Sequence, residues 1–379
     1  MRLSGRGEVD PFMVMDVMEA ARRAEEAGRR IIHMEVGQPG TPAPEGARLA
    51  VAHALEAGPL GYTVALGLPA LRTRIARLYH DWYGVDLDPA RVVVTSGSSA
   101  GFILAFTALF DADDRVALGA PGYPSYRQIL RALSLRPVDL QTEAADRYQP
   151  VAEMLPPDIA GLIVASPANP TGTMLDRDAL TRLIEAAAAR NAAFVSDEIY
   201  HGIDYDRPAV SALQVTDDAY VINSFSKYFS MTGWRIGWMV VPEEHLRTIE
   251  RLAQNLFICP PHASQVAALA AMECQDELRA NLAVYGRNRQ LMLDGLPRAG
   301  FGRIAPPDGA FYVYADVSDL TDDSPAFARR ILDEAGVAVT PGVDFDPVRG
   351  HRTLRFSYAR SEADIAEGLS RLAEFMRRL

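Results

Sequence analysis

The chain has 379 residues, of which 49% are hydrophobic and 23% are charged, and its 49 acidic and 38 basic residues give a net charge of −11. This composition is typical of a globular chain with a sizeable core, and the acidic balance argues against the phosphate backbone of a nucleic acid as the main partner. At about 150 residues per domain, the length predicts two domains, or one large α/β domain with an appendage.

Cysteine and histidine usage argues against a disulfide framework and against a metal site. Cys259 and Cys274 are too few for either a disulfide framework or a zinc cluster, and the seven histidines have no metal-binding spacing. No apolar run approaches the roughly 18 residues that a membrane-spanning helix needs. We therefore expect a cytoplasmic protein with no bound metal, no membrane association and no nucleic-acid partner.

The first predicted elements are a helix over residues 14–30, a strand over 31–36 and a turn that begins at Gly37. A turn rich in glycine and proline exposes backbone N–H groups, and a glycine lets another molecule approach closely. The same turn would also serve as a plain connection. A second glycine-rich loop carries Tyr62, in a position where a tyrosine usually packs, and precedes a helix over 71–82.

A strand, a turn of small residues and a helix follow over residues 91–109. The turn places Ser98, Ser99 and Ala100 at the start of the helix. Backbone N–H groups and the positive end of the helix dipole point at one place there, which makes an anion-binding site. The serines would also serve as simple helix caps.

Polar or aromatic residues directly follow three later strands. They are Tyr123 after residues 115–120, Asn169 after residues 161–165, and Asp197 and Tyr200 after residues 193–196. An aromatic ring at a strand end can stack on a flat heteroaromatic ligand, whereas we expect Tyr126 only to pack. A carboxylate at the end of a buried strand is costly unless a cation partners it, which singles out Asp197. We assign no catalytic role to Glu198.

The densest set of donors lies between predicted strands at residues 219–222 and 236–241, and it surrounds Lys227. Aromatic neighbours on both sides of this lysine should desolvate the ammonium and lower its pKa, which makes the amine a usable nucleophile or base. The Ser224 hydroxyl and the Arg235 guanidinium suit a phosphate. The alternative is a surface lysine beside a core strand.

The C-terminal region changes to long helices and then to shorter elements. The predicted helices cover residues 244–255, 262–296, 325–335 and the C terminus, and the predicted strands cover 311–315, 337–340 and 353–357. Arg355 lies in an apolar strand, where a buried guanidinium needs a bidentate anion or a structural ion pair.

The alternation of strands and helices between residues 91 and 241 predicts an α/β fold. We expect a large domain with a mainly parallel sheet flanked by helices, and a smaller α+β domain. The expected division is an N-terminal arm that belongs partly to the small domain at 1–40, a large domain at 41–285 and a small domain at 286–379. Ligands of such sheets bind beyond the carboxyl ends of the strands, where these candidate residues lie.

The spacing of Ser224, Lys227 and Arg235 resembles the signature of the class I/II aminotransferases, in particular the aspartate/prephenate-aminotransferase-like subgroup. These are fold-type I enzymes that use pyridoxal 5'-phosphate, and the resemblance implies a seven-stranded sheet. In that family the lysine carries the cofactor as a Schiff base and moves the substrate proton. The serine and the arginine hold the cofactor phosphate.

The resemblance also implies a role for each of the other candidates. The implied cofactor-binding residues are Ser98, Ser99 and Ala100 at the phosphate, Tyr123 over the ring, Asp197 at the ring nitrogen, Asn169 and Tyr200 at the phenolic oxygen, and Tyr62 of the neighbouring subunit at the phosphate. The implied contacts to the substrate carboxylate are Gly37, Asn169 and Arg355. A homodimer with shared active sites follows from the role of Tyr62.

We therefore expect a pyridoxal-phosphate-dependent aminotransferase that acts on an α-amino acid and a 2-oxo acid. The alternatives are a carbon–sulfur β-lyase, other Cα chemistry on the same scaffold, and a non-catalytic aminotransferase-like regulator, which the retention of Lys227 argues against. Ser99 departs from the pattern, because some aspartate-type and prephenate-type relatives carry a lysine there that binds the distal carboxylate. We therefore expect neutral or aromatic amino donors to compete well with aspartate.

Overall fold

A computed structural model describes residues 2–379, and its strands belong to three sheets. The strands are β1 (Ile32–His33), β2 (Val92–Thr95), β3 (Arg115–Ala120), β4 (Arg136–Gln141), β5 (Gly161–Ala165), β6 (Ala193–Asp197), β7 (Tyr220–Ser224), β8 (Gly237–Val240), β9 (Arg303–Ala305), β10 (Tyr312–Asp316), β11 (Val337–Ala338), β12 (Thr340–Pro341) and β13 (Thr353–Ser357).

The helices cover the faces of these sheets. They are α1 (Met13–Glu26), α2 (Glu45–Ala57), α3 (Pro69–Tyr83), α4 (Gly97–Leu109), α5 (Pro124–Ala132), α6 (Arg177–Ala188), α7 (Leu246–Leu256), α8 (His262–Ala271), α9 (Gln275–Arg298), α10 (Ser324–Arg330) and α11 (Glu362–Met376).

The largest sheet has seven strands in the order β2-β8-β7-β6-β5-β3-β4, and β8 alone runs antiparallel to its neighbours. The edge strand β2 and the inner strand β7 both contain β-branched residues and are buried along their whole length, as strands covered by helices on both faces require. In β2, Val92 and Val94 enter one hydrophobic core while Val93 enters the other. The predicted α/β fold with a mainly parallel seven-stranded sheet is confirmed.

The register of this sheet places several strand ends side by side. Asp197 at the end of β6 pairs with Ala165 of β5 and with Ile222 of β7. On the other side, Gly237 of β8 pairs with both Ser224 of β7 and Thr95 of β2. The turns that follow β2, β5, β6 and β7 and the turn that precedes β8 therefore meet along one edge of the sheet.

A four-stranded antiparallel sheet, in the order β12-β13-β10-β9, forms a separate layer. In it, Arg355 of β13 pairs with Tyr314 on one side and Thr340 on the other. The third sheet joins β1 to β11 and so packs the N-terminal segment with the C-terminal region. The domain boundaries stay a prediction, and α9 runs without a break across residues 285 and 286.

Several predicted elements were wrong or incomplete. Residues 134–160 were expected to be a loop, but β4 lies there, and its Pro137 is tolerated because the strand is at the edge of the sheet. The single helix expected over residues 262–296 is two helices, α8 and α9. The second begins with Asp276 and Glu277 in its first turn, where acidic side chains complement the helix dipole. Helix α2 and strand β9 were not predicted.

No helix within residues 2–379 combines the length and the apolar character needed to cross a bilayer. The cytoplasmic location stays a prediction.

Candidate active site

One cavity of about 230 Å³ lies beyond the strand ends of the large sheet and reaches the four-stranded sheet. It is lined by ten of the predicted site residues, namely Gly37, Ser98, Ser99, Tyr123, Asn169, Asp197, Tyr200, Lys227, Arg235 and Arg355. Ala100, Ser224 and Tyr62 do not line it. The fold thus brings together residues that lie up to 318 positions apart, from Gly37 to Arg355.

Lys227 lies in this cavity with its side chain partly buried. Its Nζ donates a 2.7 Å hydrogen bond to the backbone oxygen of Gly37 and lies 5.8 Å from the centre of the Tyr200 ring. Burial, together with the positive charges of Arg355 and Arg235, lowers the pKa of Lys227 from 10.5 to about 8. A substantial fraction of the side chain is therefore a free amine near neutral pH, as a nucleophile or a general base requires.

Asp197 lies 3% exposed at the end of β6. The Tyr126 hydroxyl donates to its Oδ2, and the Ile199 N–H donates to its Oδ1 at 3.0 Å. Burial raises the pKa of Asp197 to about 6, against the opposing effect of these hydrogen bonds and of Lys227. No cation within residues 2–379 forms a salt bridge with this carboxylate, so it is suited to a cationic N–H of a ligand in the cavity.

An anion-binding corner forms where the start of α4 meets Arg235. Gly97 has a φ of 76°, and a Cβ there would lie 2.4 Å from the Arg235 guanidinium, so glycine permits both the backbone conformation and the close approach. Ser98 and Ser99 follow at the helix N-terminus and line the cavity. Helix N–H groups, hydroxyls and a guanidinium in one corner are the donors that a phosphate needs.

Ser224 lies behind this corner rather than in it. Its hydroxyl is 3.1 Å from the backbone oxygen of Ile236 and 2.9 Å from the Ser226 hydroxyl. Ser226 lines the cavity in its place. Ser226 was not among the predicted site residues, although it lies in the donor-rich segment around Lys227 that the sequence singled out.

Arg355 is only 2% exposed and extends from the four-stranded sheet into the cavity. Its Nη1 donates to the side-chain oxygen of Asn169 at 2.8 Å, and its Nη2 donates to the Thr340 hydroxyl at 3.2 Å and to the backbone oxygen of Glu35. Its Nε has no hydrogen-bond partner within residues 2–379. The guanidinium carries no carboxylate partner there, which favours the anion-binding interpretation over a structural ion pair.

Two aromatic rings enclose the Arg355 guanidinium. The ring centre of Tyr312 lies 4.4 Å and that of Phe345 lies 4.7 Å from the guanidinium carbon. The Tyr312 hydroxyl continues to the Tyr200 hydroxyl at 2.8 Å. Tyr312 also explains the glycine at position 37, because a Cβ there would lie 1.6 Å from the Tyr312 oxygen.

Sequence reasoning missed several residues of this cavity. Tyr126 was expected only to pack, yet it donates to Asp197. Its position three residues after Tyr123, on the first turn of α5, is a helical spacing that could have suggested it. Tyr312 and the apolar residues Phe12, Val14 and Met15 at the start of α1 carried no local signal, because they reach the cavity only through tertiary packing.

Glu198 is buried beside Asp197 but points away from the cavity. Its Oε1 accepts hydrogen bonds from Ser196 Oγ at 3.2 Å, Ser211 Oγ at 3.0 Å and the Ala212 N–H at 2.8 Å. Burial raises the pKa of Glu198 to about 7. Its contacts are with Ser196 and with the turn at residues 211–212, and the lack of a catalytic role for Glu198 stays a prediction.

Tyr62 is 84% exposed on a loop outside the cavity. The loop is held to the segment after α7 by contacts from the Thr63 N–H to Cys259 Sγ at 3.5 Å and between the His262 ring and the Gly61 backbone oxygen at 3.1 Å. Exposed apolar side chains lie on the same two segments, namely Val64 on the loop and Leu256 and Ile258 at and after the end of α7.

Comparisons with known proteins show the family of this chain. A family model described as aminotransferase class I and II matches residues 29–372. The valine–pyruvate aminotransferase of Mycobacterium tuberculosis is 47% identical over 99% of this chain and 98% of its own length, and the aspartate/prephenate aminotransferase of Thermus thermophilus is 32% identical over 97% of each. A solved structure from Silicibacter pomeroyi is 70% identical, covers 100% of both chains and superimposes with a TM-score of 0.96. The resemblance predicted from the sequence is confirmed, and the chain belongs to the class I and II aminotransferase family of amino-group-transferring enzymes.

Proposed function

We propose that this aminotransferase binds pyridoxal 5'-phosphate in the cavity around Lys227. The observation that carries the proposal is that one cavity holds an amine of lowered pKa, a buried carboxylate that forms no salt bridge within residues 2–379, and a corner of phosphate donors. Each of these groups matches a different part of the cofactor: its aldehyde, its ring nitrogen and its phosphate. The glycine at residue 97 lets Arg235 take its place in this corner, because a side chain there would collide with the guanidinium.

The other residues around the cavity would contact different parts of the cofactor. Asp197 would keep a proton on the ring nitrogen, Asn169 and Tyr200 would hydrogen-bond the phenolic oxygen, and Tyr123 would cover the ring. The bound cofactor supplies an aldehyde for covalent attachment of amines and a ring that accepts electrons from the substrate Cα. These are proposed roles, and the positions of the residues in one cavity support them.

Lys227 would move the substrate proton. As a free amine it would accept the proton from the Cα of the amino acid. As an ammonium it would donate a proton to the carbon that carries the transferred amino group. A lysine with a pKa of about 8 populates both forms near neutral pH, whereas a lysine of ordinary pKa is almost entirely an ammonium there. Arg355 would bind the α-carboxylate and hold the Cα hydrogen within reach of Lys227.

We infer that the amino donor is neutral rather than dicarboxylic. Within residues 2–379 the cations that line the cavity are Lys227, Arg235 and Arg355, and each has a role with the cofactor or the α-carboxylate. Ser99 is exposed at the cavity edge and offers no charge to a distal carboxylate. Phe12, Val14 and Met15 of the α1 segment form an apolar part of the lining. The relative named valine–pyruvate aminotransferase supports a donor of this class.

We also propose a homodimer in which Tyr62 reaches the partner's cofactor phosphate. An exposed tyrosine with exposed apolar neighbours on the same segments supports an interface, since burial of such side chains stabilises association. The proposed dimer would add one hydroxyl donor from the partner to those that the chain itself places in the cavity.

Borohydride reduction tests the proposed function. Protein incubated with pyridoxal phosphate should develop an absorbance band in the near ultraviolet or visible region, and borohydride should fix the cofactor covalently on Lys227, as identified by peptide mass spectrometry. The Lys227→Ala variant serves as the control and should lose both the attachment and the amino transfer. Wild-type turnover in that variant would contradict the proposal.

A further inference from the structure

The Tyr200 and Tyr312 hydroxyls form a buried pair at the cavity. Their oxygens are 2.8 Å apart, and both rings line the cavity although the side chains are 5% and 1% exposed. Tyr200 comes from the turn after β6 of the large sheet, and Tyr312 begins β10 of the four-stranded sheet. Each hydroxyl has a single proton, so only one of the two can donate within the pair.

The surroundings decide which hydroxyl donates. The Arg355 guanidinium lies 4.4 Å from the centre of the Tyr312 ring, and this positive charge makes the Tyr312 phenol the stronger acid of the two. Burial raises the pKa of both hydroxyls and the charge of Arg355 opposes this at both, but within residues 2–379 the guanidinium lies over the ring of Tyr312 and not over that of Tyr200. The stronger acid is the better hydrogen-bond donor. The Tyr200 oxygen then accepts, and its own proton is free to point into the cavity.

We propose that Tyr312 is a positioning residue, which donates its proton to the Tyr200 oxygen and thereby directs the Tyr200 proton toward the phenolic oxygen of the bound cofactor. The inference rests on the proposed cofactor site. Accepting one hydrogen bond polarises the Tyr200 hydroxyl and strengthens the hydrogen bond that it donates. Tyr312 also fills the space beside Gly37, so the orientation of its ring is fixed by packing.

A pH titration of the holoenzyme tests this role. Wild type and Tyr312→Phe are loaded with pyridoxal phosphate, and the midpoint of the pH-dependent change in cofactor absorbance is measured. Phenylalanine keeps the ring that packs on Arg355 and Gly37 and removes only the hydroxyl. Because donation to the phenolic oxygen favours the deprotonated form of the lysine-bound cofactor, the midpoint should rise by about half a pH unit, as the loss of one buried hydrogen bond implies.

Tyr314→Phe is the matched control. Tyr314 lies two residues along the same strand, and its hydroxyl is bonded to Thr353 at 2.6 Å, but it does not line the cavity. Its removal should leave the midpoint unchanged. A midpoint that moves equally in Tyr314→Phe would show a general effect of the strand and would overturn the proposal.

The double variant Tyr200→Phe/Tyr312→Phe separates action through Tyr200 from a direct action. If Tyr312 acts through Tyr200, the midpoint of the double variant equals that of Tyr200→Phe. A double-variant shift equal to the sum of the two single shifts would overturn the inference, as would an unmoved midpoint in Tyr312→Phe. Failure of the wild type to form any cofactor band would instead overturn the proposed function itself and this inference with it.

Discussion

The side-chain nitrogen of Lys227 lies 2.7 Å from the backbone oxygen of Gly37, so the N-terminal segment contacts the reactive amine of the large sheet directly. Burial and two nearby guanidiniums lower the pKa of this amine to about 8. We expect the apoprotein to take up pyridoxal phosphate faster as the pH rises from 7 to 9, with a midpoint near 8, because only the free amine attacks. Stopped-flow absorbance measures the rate, and Nα-acetyl-lysine corrects for titration of the cofactor. A midpoint close to 10.5 would contradict the lowered pKa of Lys227.

Asp197→Asn should weaken cofactor binding yet stabilise the apoprotein at pH 8. The folded-state pKa of about 6 exceeds the ordinary 3.8, so ionisation of Asp197 opposes folding above pH 6 and not below pH 4. Asparagine removes that cost, which is on the order of 1 to 3 kcal/mol for two pKa units. The free energy of unfolding in urea, measured for both apoproteins at pH 8 and pH 4, should show the gain at pH 8 alone.

Asp346→Asn is the matched control for that measurement. Asp346 is also buried, but it has a cation partner in Arg349 at 2.9 Å. Its neutralisation should destabilise the protein at pH 8, since it removes the buried one of the two carboxylates that the Arg349 guanidinium contacts, the other being Glu143. If both variants changed the free energy of unfolding in the same direction, the stabilisation by Asp197→Asn could not be explained by the lack of a salt bridge to Asp197 within residues 2–379.

Arg355→Ala should lower kcat/KM for every amino donor to a similar extent. The guanidinium would contact the α-carboxylate that all donors share, and loss of a charge-assisted pair in a closed site costs about 2 to 4 kcal/mol. Arg355→Lys keeps the charge without the planar fork and should recover only part of the loss. A loss confined to one class of donor would mean that Arg355 reads the substrate side chain.

Ser99→Lys should shift donor preference toward aspartate. Ser99 is exposed at the cavity edge, so a longer side chain has room, and the added ammonium can pair with a distal carboxylate. The measurement is the ratio of kcat/KM for aspartate to that for valine, with Ser99→Met as a control of similar length and no charge. A wild-type ratio above about 100, close to 3 kcal/mol of discrimination, would show that another group already recognises the second carboxylate.

Hybrid dimers test the role of Tyr62. An inactive Lys227→Ala chain mixed with a Tyr62→Phe chain of low activity should regain activity, because one of the two cavities in the hybrid has both side chains intact. Subunit exchange is confirmed by native mass spectrometry. The control is a Val64→Ser chain, which is changed on the same exposed loop but keeps Tyr62. No gain after confirmed exchange would count against a site shared between subunits.

The sequence by itself determined the parts of this protein that depend on local pattern. Short β-branched runs separated by helical segments predicted the parallel sheet, and their carboxyl ends predicted where a ligand binds. Asp197 and Lys227 were recognisable because a charge beside a buried strand is costly unless it has a function. Strand ends of one parallel sheet meet at one edge whatever the loops do, so these residues could be expected to lie together.

Only the tertiary structure decided which side chains complete the cavity. Tyr312 reaches Tyr200 from another sheet, 112 positions away, and Arg355 reaches Asn169 across 186 positions. Within the lysine segment, the turn sends the Ser226 side chain to the cavity lining and the Ser224 hydroxyl to the Ile236 backbone. Contacts between distant segments depend on how two sheets pack, and the direction of a side chain in a turn depends on its neighbours. Neither feature produces a periodic pattern of residues, so neither can be recognised in the sequence.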